Sequence, residues 1–299
     1  MTWLLELIAL LSIVTLFYTG VGACFKALDR GQRIRLTRAN VSTFCREWAV
    51  CTFVVLTWPF GIRNAAPRRV PAVPESEEDD APIPVVLVPG YGVNRAYLSF
   101  LQMYLRRRGW PWVAAINHRP FSRPIPHYAE RLGLYVDDVL RASGAEQVDL
   151  VGHSMGGLVA AFYVNALGGH TRVRRLVTLG APWKGTATWV FGGRREARDM
   201  APDSDVVKAV QELKTPTTAI WSRSDAMIFP AERAKPDGGD AIELANLGHN
   251  EMLFSARVFR LVADVLGGAR TAIPTALENA PPAPESAPTA VPEKIEEPV

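Results

Sequence analysis

The chain has 299 residues, which leaves room for one or two domains. It is 48% hydrophobic and 21% charged, a balance that excludes a protein disordered throughout. The net charge of +3 is too weak to indicate a nucleic-acid partner. The three cysteines, Cys24, Cys45 and Cys51, all lie near the start of the chain. The remainder therefore carries no disulfide scaffold, cysteine-based zinc site or cysteine nucleophile.

An apolar segment near the start, residues 4–25, carries one charge, Glu6. As a helix it would reach about 33 Å, enough to cross roughly 30 Å of hydrocarbon. We interpret residues 1–28 as a transmembrane anchor. A cleaved signal peptide and a lipid on Cys24 are the alternatives, and the first lacks the usual positively charged start.

Residues 29–64 form a basic juxtamembrane region that contains a second apolar run, residues 48–62. This run is short for a crossing, and Pro59 would break its end. It predicts either an interfacial helix or the returning arm of a two-helix hairpin. The pattern leaves open whether the chain passes the membrane once or twice, and on which side its remainder lies.

Composition separates a central domain from its flanks. Residues 65–84 are rich in proline and acidic residues and predict a semi-extended linker. Residues 269–299 are rich in alanine, proline and glutamate and predict a disordered tail. Between them, residues 85–268 are enough for one well-buried core.

Within this domain, short apolar runs alternate with helical patterns. The predicted strands cover residues 85–88, 112–116, 147–151, 173–179, 217–221 and 241–246. The predicted helices cover residues 95–108, 128–142, 154–167 and 249–266. Apolar strands separated by helices indicate an α/β fold with a mostly parallel sheet covered on both faces.

The sequence Gly-His-Ser-Met-Gly-Gly, residues 152–157, follows a predicted strand and opens a helix. This is the G-x-S-x-G pattern in its expected context, with Gly152 and Gly156 as the flanking glycines. A serine on a sharp strand-to-helix turn presents its hydroxyl at the carboxyl edge of the sheet. Ser154 is therefore the candidate nucleophile.

A nucleophilic serine needs a base and an acid, in the chain order Ser, Asp, His for this context. His249 is the last histidine and follows the last strand, so it is the candidate base. Asp225 follows the preceding strand and is the candidate acid, ahead of Asp237. His153 is expected to point away from the nucleophile. His118, like the two remaining histidines, is assigned a surface or loop role.

The oxyanion hole requires two backbone N–H groups near the nucleophile. One should come from Met155, directly after Ser154. The other should come from the glycine-flanked loop after the first strand, residues 88–92, where Tyr91 is the expected donor.

These motifs together resemble a bacterial lipase or esterase of the α/β-hydrolase superfamily. The resemblance rests on five segments in the right order: PGYG (89–92), GHSMGG (152–157), TLGAPWKGT (178–186), SRSD (222–225) and GHNEML (248–253). It implies hydrolysis of carboxylic esters, often acyl glycerols, without a cofactor. Pro89 stands where the family usually has histidine, and Trp183-Lys184 also departs from its pattern.

The resemblance further implies a small lid over residues 187–214. Trp183, Trp189 and Phe191 either line an acyl site or belong to the core. No metal-ligand set is legible in the chain.

The expected function is a membrane-anchored ester hydrolase, located at a bacterial inner membrane. Its expected partners are an acyl-ester or lipid substrate and the lipid bilayer. No nucleic-acid partner is expected, and no protein partner is indicated. Two alternatives stay open. The same residues could serve a thioesterase, amidase or acyltransferase, or the fold could be a catalytically silent membrane scaffold.

Overall fold

The computed structural model describes residues 12–13, 15–16, 19–20, 24, 37–61, 83–119 and 122–268. The strands are β1 (Val85–Val88), β2 (Val113–Ala115), β3 (Val148–His153), β4 (Val173–Leu179), β5 (Thr217–Ser222) and β6 (Asp240–Leu244). The α-helices are α1 (Arg38–Thr57), α2 (Ser99–Arg107), α3 (Ile125–Ser143), α4 (Met155–Ala166), α5 (Arg195–Arg198), α6 (Asp205–Ala209) and α7 (Ala256–Leu266). Short 3₁₀ helices cover Trp58–Gly61, Arg95–Leu98, Gly169–Thr171, Ala187–Phe191, Ala231–Ala234 and Asn250–Phe254.

The described residues form one six-stranded sheet in the order β2-β1-β3-β4-β5-β6, and all neighbouring strands are parallel. The chain builds β2 on one side of β1 and then crosses to build β3 on the other. The direction of winding therefore reverses between β1 and β3. Ligands of open α/β sheets bind at the carboxyl ends of the strands beside such a reversal.

Hydrophobic cores lie on both faces of the sheet, as side-chain alternation along β1 shows. Val86 and Val88 pack in the core on the side of α3 and α4. Val85 and Leu87 point the other way, into a core shared with α2, α7 and Val54 of α1. Burying each such side chain contributes about 1.5–3 kcal/mol. The predicted α/β fold with a parallel sheet covered on both faces is confirmed.

The helix predicted over residues 249–266 is in fact two elements. Ser255 adopts an extended conformation between the 3₁₀ helix Asn250–Phe254 and α7. Its hydroxyl accepts a hydrogen bond from Val258 N at 3.4 Å and caps α7. The prediction of one continuous helix is therefore wrong, because a capping serine starts a new helix there.

Helix α1 packs on the domain that contains the sheet, and it includes most of the second apolar run. No helix in the described ranges combines the length and apolarity that a bilayer crossing requires. The predicted anchor over residues 1–28 lies largely outside those ranges, as do residues 65–82 of the linker and the tail over 269–299. Two of the residues described there do touch α1: Ser12 O accepts a hydrogen bond from Trp48 Nε1 at 2.9 Å, and Thr15 Oγ1 lies 2.8 Å from Thr52 Oγ1.

Candidate active site

Ser154 occupies the turn between β3 and α4 in a conformation that side-chain-bearing residues rarely adopt. Its φ is 55° and its ψ is −128°. Two backbone hydrogen bonds of 2.9 Å hold it there: Ser154 N donates to Leu179 O, and Ser154 O accepts from Gly157 N. Because Ser154 is only partly buried, its hydroxyl lies within reach of solvent at the carboxyl edge of the sheet.

The spacing of the two glycines around Ser154 follows from close backbone approaches. A Cβ on Gly152 would lie 2.6 Å from Gly156 O, and a Cβ on Gly156 would lie 2.4 Å from Pro89 O. Real Cβ atoms do not come so near other atoms. Any larger residue at either position would push β3, α4 and the loop after β1 apart.

Asp225 and His249 form a buried hydrogen-bonded pair. Asp225 Oδ2 lies 2.7 Å from His249 Nδ1, while Oδ1 accepts from Met227 N at 2.7 Å and Ile228 N at 2.9 Å. Burial opposes a charged imidazole, but the charge and hydrogen bond of Asp225, with a smaller contribution from Glu47, raise the pKa of His249. This pair can orient an imidazole and stabilise it when it accepts a proton. Asp237, by contrast, forms an exposed ion pair with Lys184.

Gly180 links the serine side of the site to the histidine side. It has φ +55°, and a Cβ there would lie 3.1 Å from Asp225 Oδ2 and 3.2 Å from His249 Nδ1. Its neighbour Leu179 accepts the hydrogen bond from Ser154 N. Among the described contacts there is no hydrogen bond between the Ser154 hydroxyl and His249. In unliganded enzymes such a bond is often long and shortens only when substrate binds.

The loop after β1 lies directly against Ser154. A Cβ on Gly90 would come within 3.0 Å of Ser154 Cβ, so a glycine there lets the loop backbone approach the serine. Tyr91 follows, half-buried, with the guanidinium of Arg194 5.9 Å from its ring centroid. Met155, the other expected oxyanion donor, begins α4 and is buried.

Two buried histidines contact residues of this site, a role that the sequence did not predict for them. His118 lies in the loop after β2, in line with the loop role, but it is buried and not on the surface; its Nε2 is 2.7 Å from Pro89 O in the loop beside Ser154. The ring of His153 lies 4.8 Å from the ring of His249, and its Nε2 is 3.2 Å from His249 O. Burial lowers the pKa of His118 to about 4. Burial, and then the charge of His249, lower the pKa of His153 to about 3.

The candidate substrate-lining aromatics separate into two groups. Trp183 is fully buried in the core, and its Nε1 donates to Thr178 Oγ1 at 3.0 Å, so it fills the structural role that the sequence left open. Trp189 and Phe191 lie on the 3₁₀ helix Ala187–Phe191 and keep part of their surface exposed.

The parallel sheet, the strained serine after β3 and the buried histidine–aspartate pair at the same sheet edge define an α/β-hydrolase fold. Residues 83–203 match the family model described as alpha/beta hydrolase fold.

Solved structures agree with this assignment. The mature lipase BlEst2 of Bacillus licheniformis superposes with a TM-score of 0.54 at 15% identity, covering 65% of this chain and 96% of that one. Lipase B of Aspergillus fumigatus gives 0.53 at 15%, covering 62% and 52%. The α/β hydrolase MGS-MChE2 from a lagoon-sediment metagenome of Mar Chica, Morocco, gives 0.50 at 21%, covering 62% and 91%. At these identities the likeness establishes the fold.

Proposed function

We propose that the protein is a serine hydrolase that cleaves carboxylic esters through Ser154, His249 and Asp225. The observation that carries the proposal is the buried 2.7 Å contact between His249 Nδ1 and Asp225 Oδ2, at the sheet edge where Ser154 stands in a strained turn. A carboxylate on Nδ1 keeps the proton there and leaves Nε2 free to accept one, which is what a serine nucleophile requires.

In this mechanism His249 takes the proton of Ser154 as the hydroxyl oxygen attacks the ester carbonyl. The N–H groups of Met155 and Tyr91 stabilise the resulting oxyanion. His249 then gives its proton to the departing alcohol, leaving an acyl group on Ser154. A water molecule, activated by His249 in turn, releases the acid and restores the serine.

An acyl-lipid substrate is favoured by apolar side chains beside the oxyanion loop. Val190 and Phe191 are 57% and 49% exposed. They lie next to Gly192, where a Cβ would come 3.5 Å from Tyr91 Oη. Apolar surface at this place suits an acyl chain, and the lipases among the similar structures are named for such substrates. The proposed anchor over residues 1–28, in a bacterial inner membrane, would keep the site near lipid.

The experiment compares the full chain in detergent with its Ser154→Ala variant on p-nitrophenyl esters of graded chain length. Removing the nucleophile of such a triad reduces kcat by about 10⁶-fold, so we expect hydrolysis to disappear. A fluorophosphonate probe should label the wild type and not the variant. Ser143→Ala, at the remote end of α3, is the matched control and should retain wild-type activity.

The chain-length optimum then sorts a lipase from a short-chain esterase. Labelling without ester hydrolysis would direct the search to thioester or amide substrates. A folded wild type that neither hydrolyses esters nor reacts with the probe would overturn the proposal.

A further inference from the structure

His249 stands directly before a short helix, but its side chain does not cap that helix. It precedes the 3₁₀ helix Asn250–Phe254 at the N-cap position and makes no side-chain capping hydrogen bond. At such a position a serine, threonine, aspartate or asparagine usually accepts from the first free N–H groups. The imidazole of His249 is turned instead to Asp225, so the backbone directly after it needs an acceptor from elsewhere.

Glu47 of α1 supplies that acceptor from 203 residues away. Its Oε1 accepts from Asn250 N at 2.7 Å and from Asn250 Nδ2 at 2.8 Å, and its Oε2 accepts from Glu251 N at 3.0 Å. The Glu47 side chain is buried, with 7% of the residue exposed. Three nitrogen donors thus converge on one carboxylate, a charge-assisted arrangement that fixes the backbone next to His249.

The residue before His249 is matched to the same carboxylate. A Cβ on Gly248 would lie 2.2 Å from Glu47 Oε2 and 3.0 Å from Glu47 Cβ. Only a glycine therefore lets α1 approach this closely. Both chain neighbours of His249, Gly248 and Asn250, therefore lie directly against Glu47.

Arg46, the residue directly before Glu47 in α1, also binds this loop. Its Nη2 donates to Asn246 O at 2.8 Å, and its Nε donates to Glu251 Oε1 at 2.5 Å. Glu251 Oε2 in turn accepts from Gly248 N at 3.0 Å. The loop that carries His249 is thus held by two adjacent side chains of α1.

The 3₁₀ turn that directly follows α1 reaches the loop after β1. Trp58 Nε1 donates to Gly92 O at 3.2 Å, and Asn94 Nδ2 donates to Trp58 O at 2.7 Å. The segment over residues 37–61 therefore contacts both the histidine loop and the loop after β1, although it lies outside the matched family region over 83–203.

We propose that Glu47 is a positioning residue for His249, and that α1 is an integral part of the active site rather than a spacer between membrane and enzyme. The inference rests on the proposed function, since it assigns Glu47 a role in the orientation of that site's base.

The charges around His249 give the role a signature that a purely structural contact would lack. The titratable groups facing the imidazole are Asp225, His153 and Glu47, and Cys51 also faces Glu47. Burial raises the pKa of Glu47, while hydrogen bonds from Asn250 and the nearby His249 partly offset that rise. Its carboxylate in turn favours the charged form of His249. Removing that charge should lower the pKa of His249.

The test uses full-length Glu47→Gln, which keeps the side-chain size but removes the charge and one acceptor. We expect kcat to fall by about 10- to 100-fold with KM little changed, because small displacements of a reacting group cost rates of this order. The acidic limb of kcat/KM against pH should move to lower pH. NMR titration of the His249 ring should show the same shift without requiring turnover.

Asp149→Asn is the matched control, since Asp149 is another buried carboxylate that pairs with Arg174 away from the site. It should lower the melting temperature and leave the pH profile in place. Glu47→Asp keeps the charge at a shorter reach. It should lower kcat while leaving the pH profile unshifted, and it carries the test if Glu47→Gln does not fold.

The outcomes separate the two proposals. Wild-type kcat and an unshifted His249 titration in a folded Glu47→Gln protein overturn the positioning role, whatever Ser154→Ala shows. If the wild type is inactive and unlabelled by the fluorophosphonate, the proposed function fails. The His249 titration still decides whether Glu47 acts on this imidazole.

Discussion

The serine side and the histidine side of the candidate site are built in opposite ways. The nucleophile turn of the serine side comes from one contiguous motif, residues 152–157, and backbone hydrogen bonds and close backbone approaches hold it in place. The histidine side is assembled from three distant segments that contribute Glu47, Asp225 and His249, and buried hydrogen bonds hold it in place. A local turn can be specified by a few adjacent residues, whereas the histidine side exists only once the whole domain has folded.

The two sides also differ in charge. The supporting histidines of the serine side, His118 and His153, have pKa values lowered by burial and are neutral at pH 7. On the histidine side, two carboxylates raise the pKa of His249. Electrostatic substitutions should therefore change the activity through the histidine side, whereas steric substitutions should change it through the contacts that join the two sides.

The largest effect that would sharpen this comparison is expected from Asp225→Asn. The substitution leaves the shape intact but replaces the acceptor of the His249 Nδ1 proton, which favours the wrong tautomer. In a comparable triad such a change lowers kcat by about 10⁴-fold, and we expect a loss of that order. Steady-state hydrolysis of the best p-nitrophenyl ester measures it.

Asp237→Asn is the matched control, because Asp237 is the rival aspartate in the sequence and pairs with Lys184 at the surface. Its kcat should stay within about twofold of wild type, as expected for a surface ion pair of small energy. Equal losses in the two variants would remove Asp225 from the proposed mechanism.

A smaller effect is expected at the junction of the two sides, from Gly180→Ala. The added methyl group would lie 3.1 Å from Asp225 Oδ2 and must displace the pair. We expect kcat to fall by about 10- to 100-fold. The positive φ should also lower the free energy of unfolding by about 1–2 kcal/mol. Kinetics and urea denaturation of the same preparation give both values.

Gly144→Ala is the control that separates the loss of kcat from the loss of unfolding free energy. Gly144 also has a positive φ, 76°, but a Cβ there meets no atom within 4 Å. It should show the same loss of stability with unchanged kcat. If Gly180→Ala retains full activity, the pair tolerates the methyl group, and the link between the two sides is weaker than proposed.

The sequence predicted the local features of the molecule and missed the contacts between distant segments. Strands β1 and β4 begin and end where the hydrophobic pattern places them, because apolar runs between helices mark buried parallel strands. Ser154 stands at the predicted strand-to-helix turn, since that motif is local. The contact of Glu47 with Asn250 joins residues 203 apart and has no local pattern. The burial of His118 also depends on packing that the sequence does not display.

The smallest predicted effect is a loss of folding stability at acid pH, caused by the buried His118 on the serine side. The folded pKa of His118, about 4, lies below the unfolded value of about 6.5. Its neutral form therefore stabilises the fold above pH 6.5, and this contribution is lost as the pH falls from 6.5 towards 4. The loss amounts to about 1.4 kcal/mol per pH unit, or about 2 kcal/mol at pH 5.

His118→Gln tests this contribution, because the glutamine amide can still donate to Pro89 O but does not titrate. Urea denaturation at pH 7.5 and pH 5 should show a smaller acid-induced loss of unfolding free energy in the variant than in the wild type. The exposed His170, replaced by glutamine in the same way, should leave the difference unchanged. An equal acid response in wild type and His118→Gln would mean that His118 is not held neutral. The electrostatic contrast between the two sides would then rest on His153 and His249 alone, at the point where their rings meet.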